Sequence, residues 1–213
     1  MKAFTKKTKD RTKRRMKKLF AFLAASLIAV SMVPAVSAAE STSSDNTVYY
    51  YVDREGAMYE LSEDQYTEVM TEDNLEMVVA RDEVTPVSSM KGRDYVGETE
   101  TTPDQEARYT GRWTFKDELV RDGYKLTFSQ SGGRAFTVSN GEKVTYRVMP
   151  SKSAYLIAGA SGSHPFETPA EYVTSDGGIV LTSEYPAGYK FYVINAYNGY
   201  DIEVDATIEV TKA

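Results

Sequence analysis

Residues 188–210 have the sequence GYKFYVINAYNGYDIEVDATIEV, in which apolar and polar side chains alternate on both sides of Asn198-Gly199. Such alternation is typical of a strand with one buried face, and Asn-Gly favours a two-residue hairpin turn. That turn would place Phe191 opposite Ala206 and put the remaining alternate apolar residues of both strands on the same face. The pattern therefore predicts an antiparallel hairpin whose apolar face lines a core.

Shorter alternating runs occupy the rest of residues 107–213, a length that suits one hydrophobic core. Pairs of turn residues separate these runs at intervals typical of antiparallel β proteins. They occur at Asp122-Gly123, Gly132-Gly133, Asn140-Gly141 and Gly177-Gly178. The predicted fold class is mostly β, with an antiparallel β-sandwich or jelly-roll-like domain over 107–213.

The turn at Asn140-Gly141 leaves two interpretations open. A two-residue turn would pair Phe136 with Thr145, which mixes apolar and polar faces, whereas a three-residue loop would pair Phe136 with Val144. The loop interpretation predicts a hairpin with Gly141 in a left-handed conformation. The alternative is that the two strands belong to different sheets.

A smaller unit is predicted over residues 48–96. Val48–Val52 and Ala57–Leu61 have the composition of two strands around a short polar turn. Ser62 followed by Gln65 forms a capping-box pattern, which predicts that a short helix begins there. The sequence thus indicates a hairpin followed by a helix.

The segments around this unit are assigned by composition. Leu75–Ala80 is apolar and is interpreted as a strand. Residues 97–106 contain no large apolar side chain and are interpreted as a linker, and the polar residues 39–47 as disordered. The predicted domain boundary lies in this linker.

Residues 1–38 have the order of a secretory signal peptide. A basic stretch precedes the apolar residues 19–35, and small residues follow, which suits cleavage after Ala38 or Ala39. The alternative is an uncleaved membrane anchor, although the apolar stretch is short for a span of ~20 residues. The sequence therefore predicts a secreted, extracellular protein.

Charge limits the partners of the predicted mature chain. Residues 1–38 contain ten of the 25 basic residues and one of the 31 acidic residues, which leaves a net charge of −15 for the remainder. A surface this negative repels phosphate backbones and anionic lipids, so neither nucleic acid nor an acidic membrane is an expected partner. Glycans and proteins remain the expected classes of partner.

The C-terminal run GYKFYVINAYNGYDIEVDATIEV, together with the long basic signal peptide, resembles the small secreted β-sandwich proteins of Gram-positive bacteria. The resemblance covers about the last 105 residues. It implies a released β-sandwich protein, but most members of that group have no assigned activity, so it implies no functional residue.

The residue types give little support for catalysis. The chain has no cysteine, which excludes thiolate metal sites and thiol nucleophiles, and His164 is the single histidine. His164 lies in a loop sequence without the nucleophile-elbow pattern of a serine hydrolase, and we expect it to be exposed. Paired carboxylates could occur among so many acids, but no motif singles out a pair. No catalytic residue, metal site or cofactor is therefore predicted.

The side chains of Asn195, Asn198 and Asp201 could in principle ligate calcium. However, no calcium-loop spacing is present, and the turn prediction already explains Asn198. We therefore interpret this cluster as structural.

Tyrosine is the most unusual component of the composition. There are 16 tyrosines against one tryptophan. The predicted hairpin directs Tyr192 and Ile194 away from the core, and three consecutive tyrosines that include Tyr50 cannot all face inward. We therefore predict a ligand-binding face that includes Tyr192, Ile194 and Tyr50. The alternative is that a second layer, such as the N-terminal unit, covers this face.

These observations favour a secreted, non-catalytic extracellular module that binds a glycan or a protein. A second interpretation is a secreted structural, immunity-type or matrix protein that acts through a protein partner. A small secreted hydrolase is the third.

Overall fold

The computed structural model describes residues 46–72, 74–88, 95–103 and 111–212, which form two helices and fourteen strands. The helices are α1 (Glu63–Glu72) and α2 (Leu75–Asp82). The strands are β1 (Val48–Val52), β2 (Met58–Leu61), β3 (Pro86–Val87), β4 (Glu98–Thr101), β5 (Arg112–Val120), β6 (Lys125–Phe128), β7 (Phe136–Thr137), β8 (Glu142–Pro150), β9 (Ala154–Gly162), β10 (Phe166–Glu167), β11 (Glu171–Val173), β12 (Ile179–Ser183), β13 (Gly188–Asn195) and β14 (Ile202–Lys212).

The strands form two seven-stranded sheets. Sheet A has the order β3-β2-β1-β12-β8-β14-β5, and sheet B has the order β10-β9-β13-β6-β4, with β11 beside β9 and β7 beside β13. This confirms the mostly β, sandwich-like fold class. The sheets are not purely antiparallel, because β1 pairs with β12 and β4 pairs with β6 in parallel.

The core lies between the two sheets and is rich in aromatic rings. Tyr146 of sheet A stacks on Phe191 of sheet B with ring centroids 5.0 Å apart, and Phe115 meets Phe128 edge to face at 4.9 Å. All four side chains are buried. The alternating patterns of the sequence supply these inward-facing residues, so the faces of the strands are specified locally.

The predicted hairpin over 188–210 is wrong, although the faces of its strands are right. Val193 and Val204 are both buried as expected, but β13 pairs with β9 and β6 in sheet B, while β14 pairs with β8 and β5 in sheet A. Residues 196–201 connect the sheets instead of forming a two-residue turn. Because both faces of β13 are apolar, it suits the middle of a covered sheet better than a terminal hairpin.

The two interpretations at Asn140-Gly141 are resolved in favour of different sheets. Glu142 N donates to Ser139 O at 3.0 Å, and Gly141 has a φ of +79°, so the left-handed turn is present. However, β7 pairs with β13 in sheet B, whereas β8 pairs with β12 and β14 in sheet A. The turn links the sheets and does not close a hairpin.

The N-terminal hairpin and its helix are confirmed. β1 and β2 pair in antiparallel orientation, and α1 begins after Ser62. Ser62 N donates to Gln65 Oε1 at 2.8 Å, and Gln65 N donates to Ser62 Oγ at 3.3 Å, which is the reciprocal geometry of a capping box.

The strand predicted at Leu75–Ala80 is wrong, because this segment is the helix α2. Leu75, Val78 and Val79 are spaced i, i+3 and i+4, so they lie along one stripe of the helix. Val78 is fully buried in a cluster with Tyr51. The apolar run therefore packs the helix on the outer face of β1.

The structure differs from the predicted domain organisation in two places. Through the parallel pairing of β1 with β12, the N-terminal hairpin belongs to the same sheet as strands from 107–213. Within the predicted linker 97–106, residues Glu98–Thr101 form β4 beside β6, and residues 104–106 lie outside the described residues. β4 consists entirely of glutamate and threonine, and this lack of apolar side chains is why the sequence suggested a linker. Such a polar strand is accommodated because β4 lies at the edge of its sheet.

The predicted signal peptide 1–38 and residues 39–45 of the predicted disordered stretch lie outside the described residues. Within the described part of the chain, neither helix is long and apolar enough to cross a membrane.

Candidate functional site: an exposed tyrosine surface

The structure places Tyr192 and Ile194 on the outer face of sheet B, as predicted, but buries both. Tyr192 is 8% exposed and its hydroxyl donates to Glu167 Oε2 at 2.8 Å. Its ring lies over Gly159, where a Cβ atom would be 2.5 Å from the ring. Ile194 packs in the same small cluster with Ile157. The prediction that these side chains are exposed is therefore wrong.

The covering of Tyr192 is polar as well as apolar. Lys125 Nζ lies 5.1 Å from the centroid of the Tyr192 ring and 3.1 Å from Glu98 Oε1. Burial, followed by the Glu167 carboxylate, raises the pKa of Tyr192 above its ordinary value. Tyr192 is thus a neutral donor in a closed network and is not available as a binding residue.

Tyr50 is also buried, but between the two sheets. Its hydroxyl donates to Glu171 Oε1 at 2.7 Å, and Glu60 lies opposite Tyr50 on β2. Burial, followed by the charges of Glu171 and Glu60, raises the pKa of the Tyr50 hydroxyl. Tyr50 therefore joins sheet A to β11 of sheet B and is not available as a binding residue.

The two neighbours of Tyr50 face outward and are covered by the helices. The Tyr49 ring packs on Tyr66 of α1 with centroids 4.7 Å apart. Tyr51 is 1% exposed and its hydroxyl donates to Glu184 Oε1.

Four of the five exposed tyrosines among the described residues lie at one end of the sandwich. We call them the tyrosine surface: Tyr155, Tyr172, Tyr197 and Tyr200. Each is between 40% and 60% exposed. Tyr155 of β9 and Tyr172 of β11 are direct cross-strand partners, with ring centroids 5.1 Å apart and planes at 57°. The other two lie in the connection between β13 and β14.

Hydrogen bonds attach this connection to β9. Asn198 Oδ1 accepts from Tyr155 N at 2.8 Å, and Asn198 Nδ2 donates to Tyr155 O at 2.9 Å. The Tyr200 hydroxyl donates to Ser153 O at 2.6 Å. Tyr200 is thereby fixed beside the strand tyrosines, and Lys152 Nζ lies 4.2 Å from its ring centroid. The Tyr197 ring lies beside Gly123 at the same end of sheet B.

Asn195 holds the base of the same loop. Its side chain is fully buried, and its Nδ2 donates to Val120 O at 3.2 Å and to Tyr200 O at 2.8 Å. Its Oδ1 accepts from Asn198 Nδ2 at 2.7 Å. The asparagines considered as calcium ligands therefore have structural partners, and no group of three or more potential metal ligands occurs among the described residues.

His164 is half-buried, which corrects the prediction of an exposed loop histidine. Its ring stacks on Tyr185 with centroids 4.1 Å apart, and its Nε2 lies 3.1 Å from the carbonyl oxygen of Gly56. A carbonyl oxygen only accepts, so this contact requires a proton on Nε2. His164 thus connects the 162–165 loop to the turn between β1 and β2.

Comparisons with known proteins give no family for this chain. No family model matches it, and no curated protein matches it. Among solved structures, the crystal structure of Aeromonas hydrophila PliG, a periplasmic inhibitor of g-type lysozyme, aligns with 54% of this chain and 99% of its own. The two chains are 14% identical and superpose with a TM-score of 0.36, a likeness too low to support an inference about this protein.

Proposed function

We propose that this protein is a secreted, non-catalytic interaction module that binds a protein partner through the tyrosine surface. The observation that carries the proposal is the exposure of four tyrosines at one end of the sandwich, three of which, Tyr155, Tyr172 and Tyr200, lie close together on backbone that hydrogen bonds hold in place. Secretion rests on the signal-peptide pattern of residues 1–38 and is part of the proposal.

Tyrosine suits such a role for physical reasons. The side chain has a large ring and a hydroxyl but only two side-chain torsions, so little entropy is lost when it becomes immobile in an interface. Tyrosine is accordingly enriched among residues that dominate binding energies. The Lys152 ammonium beside Tyr200 adds a charge at the rim of this apolar surface.

The geometry favours a protein over a glycan. The rings of Tyr155 and Tyr172 are inclined at 57°, so they form a ridge and not a flat platform on which a sugar chain could lie. A ridge of this kind fits between side chains of a partner protein, where shape complementarity excludes water. A glycan ligand is the competing outcome in the experiment below.

The experiment begins with the purified protein immobilised and exposed to the medium of the producing cells. Proteins retained are identified by mass spectrometry, and the affinity of the purified partner is then measured by calorimetry. Tyr155→Ala–Tyr172→Ala should weaken this affinity by at least tenfold, because two central aromatic contacts are removed at ~1–2 kcal/mol each.

Leu119→Ala is the matched control, since Leu119 is a similarly exposed apolar residue on β5 of the other sheet. It should leave the affinity unchanged. Equal affinities for the double variant and the parent would contradict the proposal. Retention on a polysaccharide array that depends on the same two tyrosines would contradict the choice of a protein partner.

A further inference from the structure

A groove of about 720 Å³ lies at the opposite end of sheet A from the tyrosine surface. The turn between β1 and β2 forms one wall, α2 forms the other, and Glu184 after β12 closes the base. The strand register separates the two ends. At the groove end, Val52 pairs with Ser183, which pairs with Val144 at the start of β8. At the other end, β8 finishes at Pro150, four residues before β9 begins and brings in Tyr155.

The groove is strongly acidic. Its lining contains the carboxylates of Asp53, Glu55, Glu76 and Glu184. Among the described lining residues, Arg54 is the one basic side chain, and its Nε is 2.8 Å from Glu184 Oε2. The lining therefore has an excess of negative charge that Arg54 does not balance.

Two of these carboxylates are fixed by the fold. Asp53 Oδ1 accepts from Glu55 N at 3.0 Å and from Ala57 N at 2.8 Å, which holds the turn. Glu184 is buried and accepts from both Tyr51 and Arg54. Glu55 and Glu76 are exposed and belong to neither arrangement, so they are the carboxylates available to a ligand.

The groove also has an apolar side. Leu75, Met77 and Val79 of α2 contribute to its lining, and Met77 is 69% exposed. A flexible thioether that remains in solvent on a helix of eight residues is typical of an adaptable contact surface. Apolar and anionic groups therefore lie side by side within one concave surface.

Asn74 supplies a polar, uncharged part of the lining. Its Nδ2 donates to Glu72 Oε2 at 3.2 Å and to Glu68 Oε1 at 3.4 Å. Its Oδ1 is enclosed by the protein, so the groove offers the carboxylates, and not this oxygen, to a ligand.

From these observations we infer that the groove binds a basic segment of a protein partner, with an arginine or lysine side chain between the carboxylates and an adjacent apolar side chain on Met77. Charge complementarity selects the occupant, because the groove and the whole region after residue 38 are acidic. The inference goes beyond the tyrosine surface and does not depend on it.

The test uses the purified full chain, labelled with nitrogen-15, and the peptide acetyl-Leu-Arg-Leu-Arg-amide at low ionic strength. The amide resonances of 53–55, 74–80 and 184 should shift on titration, whereas those of 196–201 should not. Glu55→Gln–Glu76→Gln should weaken binding at least fivefold, and Met77→Ser should also weaken it.

Glu83→Gln–Glu203→Gln is the control, because it removes two exposed charges that do not line the groove. It should leave binding within twofold of the parent. Shifts spread over the whole acidic surface, or equal weakening by both double variants, would overturn the inference. Binding of spermine as tight as that of the peptide would also overturn it, because the apolar contact would then contribute nothing.

Discussion

The outer tyrosines of β1 and those of the β9–β11 pair occupy equivalent positions on their strands but differ in exposure. Tyr49 and Tyr51 point away from the core of the sandwich and are covered by α1 and α2. Tyr155 and Tyr172 also point away from it, and half of each side chain remains exposed. Strand alternation is the same in both places, so the presence of a covering layer determines whether an outward tyrosine stabilises the fold or remains available to a partner.

The largest expected effect separates these two groups by stability. Tyr51→Ala should lower the free energy of unfolding by ~3–5 kcal/mol, because it leaves a cavity beneath the helices and removes the donor to Glu184. Tyr155→Ala should lower it by no more than ~1 kcal/mol, because it removes one exposed cross-strand aromatic pair. Urea unfolding of both variants measures the difference, and similar losses would show that the two groups are not distinct.

The next effect concerns the buried outer face of sheet B. Gly159→Ala should destabilise by ~1–3 kcal/mol, because the new Cβ would lie 2.5 Å from the Tyr192 ring and 2.7 Å from Phe166 O. Gly188→Ala is the control, since its Cβ would make an ordinary 3.4 Å contact with Ala135. Thermal unfolding in which both variants behave alike would mean that Tyr192 is not packed on Gly159.

The helix α1, which covers Tyr49, is stabilised by the capping box of Ser62 and Gln65. Ser62→Ala removes the acceptor for Gln65 N and should cost ~1 kcal/mol. If α1 covers Tyr49 as described, tyrosine accessibility to chemical nitration should increase at Tyr49 and stay unchanged at Tyr155. Peptide mapping after nitration distinguishes the two sites, and an equal increase at both would argue against a local effect.

The smallest expected effect is a dependence on pH at Glu60, which lies opposite Tyr50 on the face of the β1–β2 hairpin away from the helices. Burial, reinforced by the charge of Glu171, raises the pKa of Glu60. The folded state then binds a proton at Glu60 more tightly than the unfolded state does. The contribution of Glu60 to the free energy of unfolding therefore increases as the pH falls through the folded pKa, and it is lost as the pH rises. Glu60→Gln should therefore be slightly more stable than the parent at pH 7, and the difference should shrink on acidification. A difference that grows on acidification would contradict this assignment.

Several elements could be predicted from the sequence because local chemistry determines them. The capping box of Ser62 and Gln65, the hairpin of β1 and β2, and the inward faces of β13 and β14 all follow from patterns within a few residues. The partners of β13 could not be predicted in this way. Asn198-Gly199 favours a hairpin locally, but Asn198 instead bonds to the backbone of Tyr155, 43 residues away in sequence.

The candidate site was predicted by residue type and not by position. The excess of tyrosine pointed to aromatic contacts, but Tyr192 is covered by Lys125 and by groups from another part of the chain, which alternation does not reveal. Tyr155 lies between the apolar residues Ala154 and Leu156, so alternation could have indicated its outward direction but not its exposure. Exposure on the outer face depends on long-range packing, and no local pattern encodes that.

The difference between the covered tyrosines of β1 and the exposed tyrosines of β9 and β11 is tested most directly by measuring stability and affinity on the same variants. For Tyr155→Ala and Tyr172→Ala, we expect at least a fivefold increase in the Kd of the identified partner and a loss of no more than ~1 kcal/mol in the free energy of unfolding. For Tyr49→Ala, we expect a larger loss in the free energy of unfolding and an unchanged Kd under conditions where the protein remains folded. If the exposed tyrosines affect only stability, or the covered tyrosine changes the affinity as much as they do, the tyrosine surface is not the binding site.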